Sequence, residues 1–121
     1  MNESPVITRW LECHRRLSAE AEAFHDSQAV AFGILSEYDA LSPEERKSLF
    51  PVLAEWLLSD DNRLRYDAAF VISQRNIREM MPAVQMALAH SASKTGPEAR
   101  DEVEHLREII DRLKAIPLIE R

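Results

Sequence analysis

The feature that most constrains this chain is its shortage of glycine. Only two glycines, Gly33 and Gly96, occur among its 121 residues. Tight β-hairpins, phosphate-binding loops and dinucleotide-binding turns depend on glycine, because their backbones adopt positive φ angles that other residues avoid. The six prolines, by contrast, stand mostly where helices are expected to begin or end. Together these features predict an all-α protein.

Start and stop signals divide the chain into about six amphipathic helices. The first is expected over residues 4–24 and the second over residues 28–40, each with an apolar face. The sequence leaves open whether these two helices are continuous. Ser42 and Glu45 have the spacing of a capping box, which predicts a third helix that ends near Ser59.

Two aspartates mark the start of a fourth helix. Asp60 or Asp61 is well placed to cap it, and Asn76 is the expected left-handed residue at its end. A fifth helix is expected over residues 78–90, and Pro97 begins the last one. The helices therefore follow one another with short connections, as in helical repeat proteins.

Two segments of the chain repeat one another. "LFPVLAEWLL" at residues 49–58 superposes on "MMPAVQMALA" at residues 80–89, with Pro51 aligned to Pro82. The shift is 82 − 51 = 31 residues. A period of this size in a helical chain is typical of stacked helical hairpins.

The pattern around the second copy resembles that of HEAT-like, armadillo-type helical repeat proteins. That family shares an acidic N-cap, an aliphatic residue followed by Arg, a later Ala, an aliphatic run, and a Pro that opens the second helix. The matching residues here are Asp61, Leu64, Arg65, Ala68, Ile72, Pro82, Val84 and Leu88. The match is closer over residues 61–89 than over residues 29–60.

The resemblance implies a short right-handed α-solenoid of about two HEAT-like helical hairpins within a single domain. Residues 29–90 would supply the two hairpins. Residues 1–28 would form an N-terminal capping helix, and residues 97–116 a C-terminal capping helix. Arg65 is expected to pair with acids of a neighbouring hairpin.

The charge balance limits the partners that the chain can bind. Its 21 acids and 15 bases give a formal net charge of −6. Nucleic acid is not the expected partner, because phosphate binding needs a basic surface, and attraction to basic proteins is expected instead. No apolar run approaches a membrane span, and the N-terminus lacks the layout of a signal peptide. With the single Cys13, these features predict a cytoplasmic protein that does not bind membranes.

Four histidines raise the question of a metal site. Two of them lie in Glu-x-x-His motifs, Glu22–His25 and Glu102–His105, and di-iron carboxylate helical bundles use paired motifs of this kind. Glu22, however, is expected about 120° away from the apolar stripe of its helix. The other helices also offer few inward carboxylates. A di-iron bundle is therefore the less favoured hypothesis, and no metal or cofactor is predicted.

Nucleophilic catalysis is not predicted either. Cys13 lies on the apolar stripe of the first helix, where an inert buried thiol is expected. Nothing in the sequence supplies a serine in a strained turn or an oxyanion loop. The chain is therefore predicted not to be an enzyme.

The predicted binding surface follows the second helices of the two hairpins, a face that such stacks commonly present to partners. It combines acids near the third helix with outward positions on the fifth, where the apolar Met86 favours a contact. The predicted partner-binding residues are Glu44, Glu45, Ser48, Glu55, Ser59, Asp60, Asp61, Glu79, Met86 and His90. The alternative that these acids only cap helices and aid solubility stays open.

Size, charge and architecture make the chain similar to the small immunity proteins of bacterial toxin–antitoxin pairs. The similarity implies a non-catalytic protein-binding module that neutralises a basic toxin domain, acting as a monomer or weak homodimer. An adaptor, scaffold or regulatory subunit that uses the same face is the alternative. An immunity gene is expected directly downstream of a toxin gene, whereas an adaptor gene need not be.

Overall fold

The computed structural model describes residues 4–24 and 28–116, and helices make up most of them. The elements, in chain order, are α1 (Pro5–Phe24), α2 (Gln28–Asp39), α3 (Pro43–Leu57), α4 (Asn62–Gln74), a 3₁₀ helix (Arg78–Met80), α5 (Met81–Ala92) and α6 (Pro97–Lys114). No β-strand occurs within the described ranges. The predicted all-α class is confirmed.

Helices α1 and α3 begin at the predicted capping residues. The backbone N–H of Val6 donates to Oγ of Ser4 at 3.1 Å. At the start of α3, the N–H of Glu45 donates to Oγ of Ser42 at 3.2 Å, and the N–H of Ser42 donates to Oε1 of Glu45 at 2.9 Å. This reciprocal pair is a capping box, and it satisfies N–H groups that lack a partner within the helix.

Helix α4 also starts and stops where the sequence predicts. Oδ1 of Asp61 accepts a hydrogen bond from the N–H of Arg63 at 2.8 Å, so the second of the two aspartates is the cap. Asn76 has a φ of 51°, and the N–H of Ile77 donates to the C=O of Ile72 at 3.1 Å. This left-handed ending satisfies the last carbonyls of the helix, as in a Schellman motif.

The predicted bounds of two other helices differ from the observed ones by about a turn or less. Helix α3 ends at Leu57 instead of near Ser59, and its last turn tightens where the N–H of Leu58 donates to the C=O of Glu55 at 3.2 Å. The predicted start of the fifth helix, Arg78, begins a separate 3₁₀ helix, and α5 itself starts at Met81. Helix α5 ends at Ala92, two residues past the predicted end at residue 90.

The chain divides into two compact units, residues 1–53 and residues 54–121. The first unit contains α1, α2 and most of α3. The second contains the end of α3 followed by α4, the 3₁₀ helix, α5 and α6. Each unit has its own buried apolar side chains.

In the first unit, α1 and α2 pack against each other. Trp10 of α1 and Val30 and Ile34 of α2 are fully buried. Gly33 lies where the two helices approach closely, and a Cβ atom there would lie 2.5 Å from Cδ1 of Leu17. A larger residue at position 33 would therefore require the end of the Leu17 side chain to shift, and the backbone angle of Gly33 does not itself require glycine.

In the second unit, the most extensive backbone packing among the described residues joins α5 to α6, and α4 also packs against α6. Ala87 and Ser91 are buried on α5, and small side chains of this kind permit a close approach of two helices. Helix α6 contributes the buried Leu106, Ile109 and Leu113. Helix α6, which the repeat pattern predicts to be a C-terminal cap, is thus the main packing partner of α5. The predicted solenoid stays a prediction.

None of the helices in the described ranges is both long enough and apolar enough to cross a membrane.

Candidate binding site

The second unit contains a cleft lined by α4, by α6, by the turn that precedes α6, and by the end of α3 with the connection to α4. Its volume is about 590 Å³. Three buried side chains, Leu57, Ala69 and Leu106, provide its apolar lining. Polar and charged side chains of α4, of α6 and of the two connecting segments provide most of the rest. A concave site with apolar surface and a few polar groups is the usual form of a ligand-binding site.

Arg65 of α4 forms one wall of the cleft and is held by three hydrogen bonds. Its Nε donates to Oε2 of Glu102 on α6 at 2.7 Å, and the side chains are only 10% and 27% exposed. Its Nη1 donates to the C=O of Ser59 at 2.7 Å, and its Nη2 donates to Oδ1 of Asn62. All three nitrogens of the guanidinium therefore donate to groups of the chain itself, and the side chain joins α4 to α6.

Arg65 thus pairs with an acid, as the sequence predicts. This acid, Glu102, lies on α6 and not on a neighbouring hairpin of the repeat. Glu102 belongs to the motif Glu102–His105, which raised the question of a di-iron site. Its carboxylate is used in the ion pair with Arg65. The motif is explained by packing of α6 against α4, since both of its residues line the same cleft.

Three other carboxylates of the cleft, those of Asp60, Glu98 and Asp101, are exposed. None of the described side chains forms an ion pair or hydrogen bond with them. Apart from the ion pair of Arg65 and Glu102, the charged side chains of the lining are these three acids and Lys94. With His105 counted as neutral, as in the net charge of the chain, the formal charge is 1 − 3 = −2. The cleft thus carries uncompensated negative charge.

Tyr66 adds an aromatic surface to the cleft. Its side chain is 48% exposed, and its ring stacks on Phe70 with 6.0 Å between centroids and 23° between planes. The stacking restrains the ring without burying it. An aromatic face beside carboxylates attracts cations, arginine above all, through the ring quadrupole and through ion pairing.

The predicted binding residues of α3 differ in how freely they could meet a partner. Glu44 and Glu55 are exposed. Glu45 belongs to the capping box, and Oγ of Ser48 donates to the C=O of Glu45 at 2.6 Å. The carboxylate of Glu45 and the hydroxyl of Ser48 therefore serve the start of α3, as the capping alternative predicts.

The predicted residues between α3 and α4 divide in the same way. Ser59 is part of the turn, because its Oγ accepts a hydrogen bond from the N–H of Asp61 at 3.0 Å. Asp61 caps α4. Asp60 has no such local role and lines the cleft, and it is the one residue of the predicted binding set that does so.

The predicted residues near α5 are all exposed. Glu79 lies on the 3₁₀ helix, and Met86 and His90 lie on α5. Met86 is 62% exposed, which confirms its predicted outward position. Its role in binding stays a prediction, as does that of the other residues of this surface.

The sequence reasoning missed most of the cleft. The inward positions Leu64, Ala68 and Ile72 recur at steps of four, so Tyr66 falls on the opposite side of α4. That pattern could have identified an exposed aromatic residue. No local pattern points to Asp101, because it joins the site only through packing of α6 against α4.

Metal and thiol chemistry receive little support from the described residues. Within them, no three His, Cys, Asp or Glu side chains lie together in a way that could hold a metal ion. His25 of the first Glu-x-x-His motif lies outside the described residues. Burial raises the pKa of the Cys13 thiol, and the charge of Glu37 adds to the effect. A thiol with a raised pKa is a poor nucleophile at neutral pH.

Comparisons of the chain with protein-family models, with curated proteins and with solved structures find no match.

Proposed function

We propose that this chain is a non-catalytic protein-binding module for a basic partner, and that it acts as an immunity protein that neutralises a bacterial toxin domain. The observation that carries the proposal is the cleft of the second unit, where unpaired carboxylates lie beside an exposed aromatic ring. A lysine- and arginine-rich protein surface is complementary to such a lining.

Electrostatic attraction and steric cover together provide the proposed mechanism. The net charge of −6 speeds association with a basic protein, an effect that weakens as added salt screens the charges. Once bound, the helical domain covers the surface that the toxin needs for its substrate, so neutralisation requires no catalytic group. We further propose that the chain acts in the cytoplasm, where Cys13 stays reduced, as a monomer or weak homodimer.

Co-expression tests this function. The chain is produced with the product of the adjacent gene, and the pair is purified through a tag on one partner. We expect a stable complex, restored growth of cells that make the toxin, and an association rate that falls steeply with salt. A complex without restored growth would favour the adaptor alternative, and the absence of both would refute the proposal.

Charge reversal tests where the partner binds. Asp60→Lys combined with Asp101→Lys reverses two charges of the cleft. Glu108→Lys combined with Asp111→Lys makes the same change at exposed positions of α6 outside the cleft. We expect the first pair to weaken the complex much more than the second, because charge complementarity acts most strongly at the contact itself.

A further inference from the structure

We infer that the cleft of the second unit receives an arginine side chain of the partner, which stacks on Tyr66 and donates hydrogen bonds to Asp60 and Asp101. The inference rests on the proposed function and specifies the chemistry of its site. It names the part of the partner that enters the cleft, which the proposed function leaves open.

The lining favours a cation over an anion or a neutral group. Outside the ion pair of Arg65 and Glu102, the lining has three carboxylates, those of Asp60, Glu98 and Asp101, and one lysine, Lys94. An anion would meet net repulsion there. A neutral apolar side chain would contact the buried lining residues but would leave the carboxylates without a partner.

Arginine fits this lining better than lysine does. A guanidinium is planar and has five N–H donors, so it can stack on a ring and bond to carboxylates at its edge at the same time. Tyr66 offers a ring that is 48% exposed and is restrained by stacking on Phe70. A lysine ammonium is a compact point charge and gains less from the ring.

The chain's own arginine in the cleft does not compete for this place. Arg65 is directed to Glu102, to the C=O of Ser59 and to Asn62. These contacts leave Tyr66 and the exposed carboxylates free for a second guanidinium. Arg65 thus shapes the wall against which the incoming side chain would lie.

Other exposed surfaces offer less support for an arginine-binding site. The exposed Glu44 and Glu55 of α3 have the right charge, but neither lines the cleft. Met86 is apolar and 62% exposed, yet nothing shows what covers it. The cleft combines volume, charge and an aromatic ring in one place.

A peptide titration tests the inference directly. The probe is an N-acetylated, C-amidated glycine peptide with two arginines, added to ¹⁵N-labelled protein and followed by amide chemical shifts. Identical peptides with lysine or with uncharged citrulline in place of arginine are the ligand controls. We expect saturable shifts at amides that line the cleft, such as those of Ala69, Thr95 and Leu106, with binding in the order arginine, lysine, citrulline.

Matched variants separate the cleft from general charge attraction. Asp60→Asn with Asp101→Asn removes two cleft charges, and Glu108→Gln with Asp111→Asn removes two charges elsewhere on α6. We expect the cleft pair to weaken arginine-peptide binding about fivefold to tenfold, since it removes two exposed ion pairs that each contribute modestly. The control pair is expected to change binding less than about twofold, as screened distant charges do.

Tyr66→Leu tests the aromatic contact and should bring arginine binding down to the level of lysine binding. Amide spectra of every variant verify that the fold is retained. Equal weakening by both charge pairs, shifts spread over the whole surface, or equal affinity for arginine and citrulline would overturn the inference.

The two proposals fail in distinguishable ways. If the toxin complex forms and tolerates the cleft variants, and the arginine peptide does not saturate, the cleft inference is wrong and the binding function stands. If the arginine peptide binds in the cleft but no partner complex forms and growth is not restored, the proposed function is wrong and the arginine site remains.

Discussion

Two arginines occupy the same position in two helices and yet contact different kinds of partner. Arg46 of α3 and Arg65 of α4 each lie four residues after the N-cap of their helix. Each guanidinium reaches back to a backbone C=O of the segment before its helix. Arg46 donates to the C=O of Asp39 at 2.9 Å, and Arg65 donates to the C=O of Ser59 at 2.7 Å. The local arrangement is therefore shared.

The difference lies in what else each arginine touches. Arg46 donates to the C=O of Tyr38 at 3.1 Å and lies over its ring, with Cζ 5.1 Å from the centroid. Arg65 instead forms an ion pair with Glu102, which is 37 residues away along the chain. The contacts of Arg46 link α3 to the end of α2, the helix that precedes it in the chain. The ion pair of Arg65 links α4 to α6, which is distant in the chain, and forms one wall of the cleft. The shared position, four residues after the N-cap, lets each arginine contact the segment before its helix, but it does not determine which other groups the arginine contacts.

The largest expected effect comes from Arg65→Met. This change removes hydrogen bonds to Ser59 and Asn62 and leaves the partly buried carboxylate of Glu102 without its partner. We expect the free energy of unfolding to fall by about 2–3 kcal/mol, as measured by urea denaturation. In a double variant with Glu102→Gln the loss should be smaller than the sum of the two single losses. Strict additivity would show that the pair contributes nothing as a pair.

Arg46→Met is expected to cost less, about 1–2 kcal/mol, because the hydrogen bonds that it removes have neutral carbonyl acceptors, and the loss of these bonds and of one cation–π contact leaves no buried charge behind. The same denaturation measurement applies. Arg46→Lys is the informative companion, since lysine keeps the charge but cannot reproduce the planar fork that meets two carbonyls and a ring. A loss as large as that of Arg65→Met would remove the proposed distinction between the two arginines.

Local and distant contacts also decide how much of the structure the sequence could predict. The capping box of Ser42 and Glu45, the cap at Asp61 and the left-handed Asn76 were all predictable. Each depends on residues within a few positions of one another, where backbone hydrogen bonding leaves few alternatives. The all-α class followed from the same signals.

The cleft was not predictable, because its parts come from segments far apart in the chain. Arg65 and Glu102 were both noticed, the first as a repeat residue and the second as part of a metal motif, but nothing local brings them together. The burial of Asp67 was not predictable either. It is only 1% exposed on α4, although aspartates in proteins are mostly exposed. Tertiary packing overrides the local pattern in both cases.

The N-caps of α3 and α4 allow a second comparison of these two helices, with smaller expected effects. Ser42→Ala removes the hydroxyl that accepts from the N–H of Glu45 and keeps the backbone N–H that donates to Glu45, and Asp61→Ala removes the carboxylate that accepts from the N–H of Arg63. We expect losses of about 1 kcal/mol each in the free energy of unfolding. Asp61→Asn keeps the accepting oxygen and should lose only a few tenths. If Asp61→Asn costs as much as Asp61→Ala, the hydrogen bond to Arg63 is not the source of the stabilisation.

The smallest expected effect concerns a third arginine, Arg16 of α1, which contacts a side chain of its own helix. Its Nη2 donates to Sγ of Cys13 at 3.8 Å. Burial, followed by the charge of Glu37, raises the pKa of the Cys13 thiol, while the positive charges of Arg16 and Arg9 oppose that rise. Because the folded state holds the proton more tightly, the stability linked to this thiol is lost as pH rises through the raised pKa.

Arg16→Met removes one of the opposing charges and should therefore raise the pKa of the Cys13 thiol further. The measurement is the rate of alkylation by iodoacetamide as a function of pH, with the midpoint of the profile moving to higher pH in the variant. Arg15→Met is the matched control, since Arg15 is exposed on the same helix and is not among the groups that shift this thiol. Equal shifts in both variants would mean that Arg16 acts only through net charge. Arg16 would then differ from Arg46 and Arg65, whose effects depend on directed contacts.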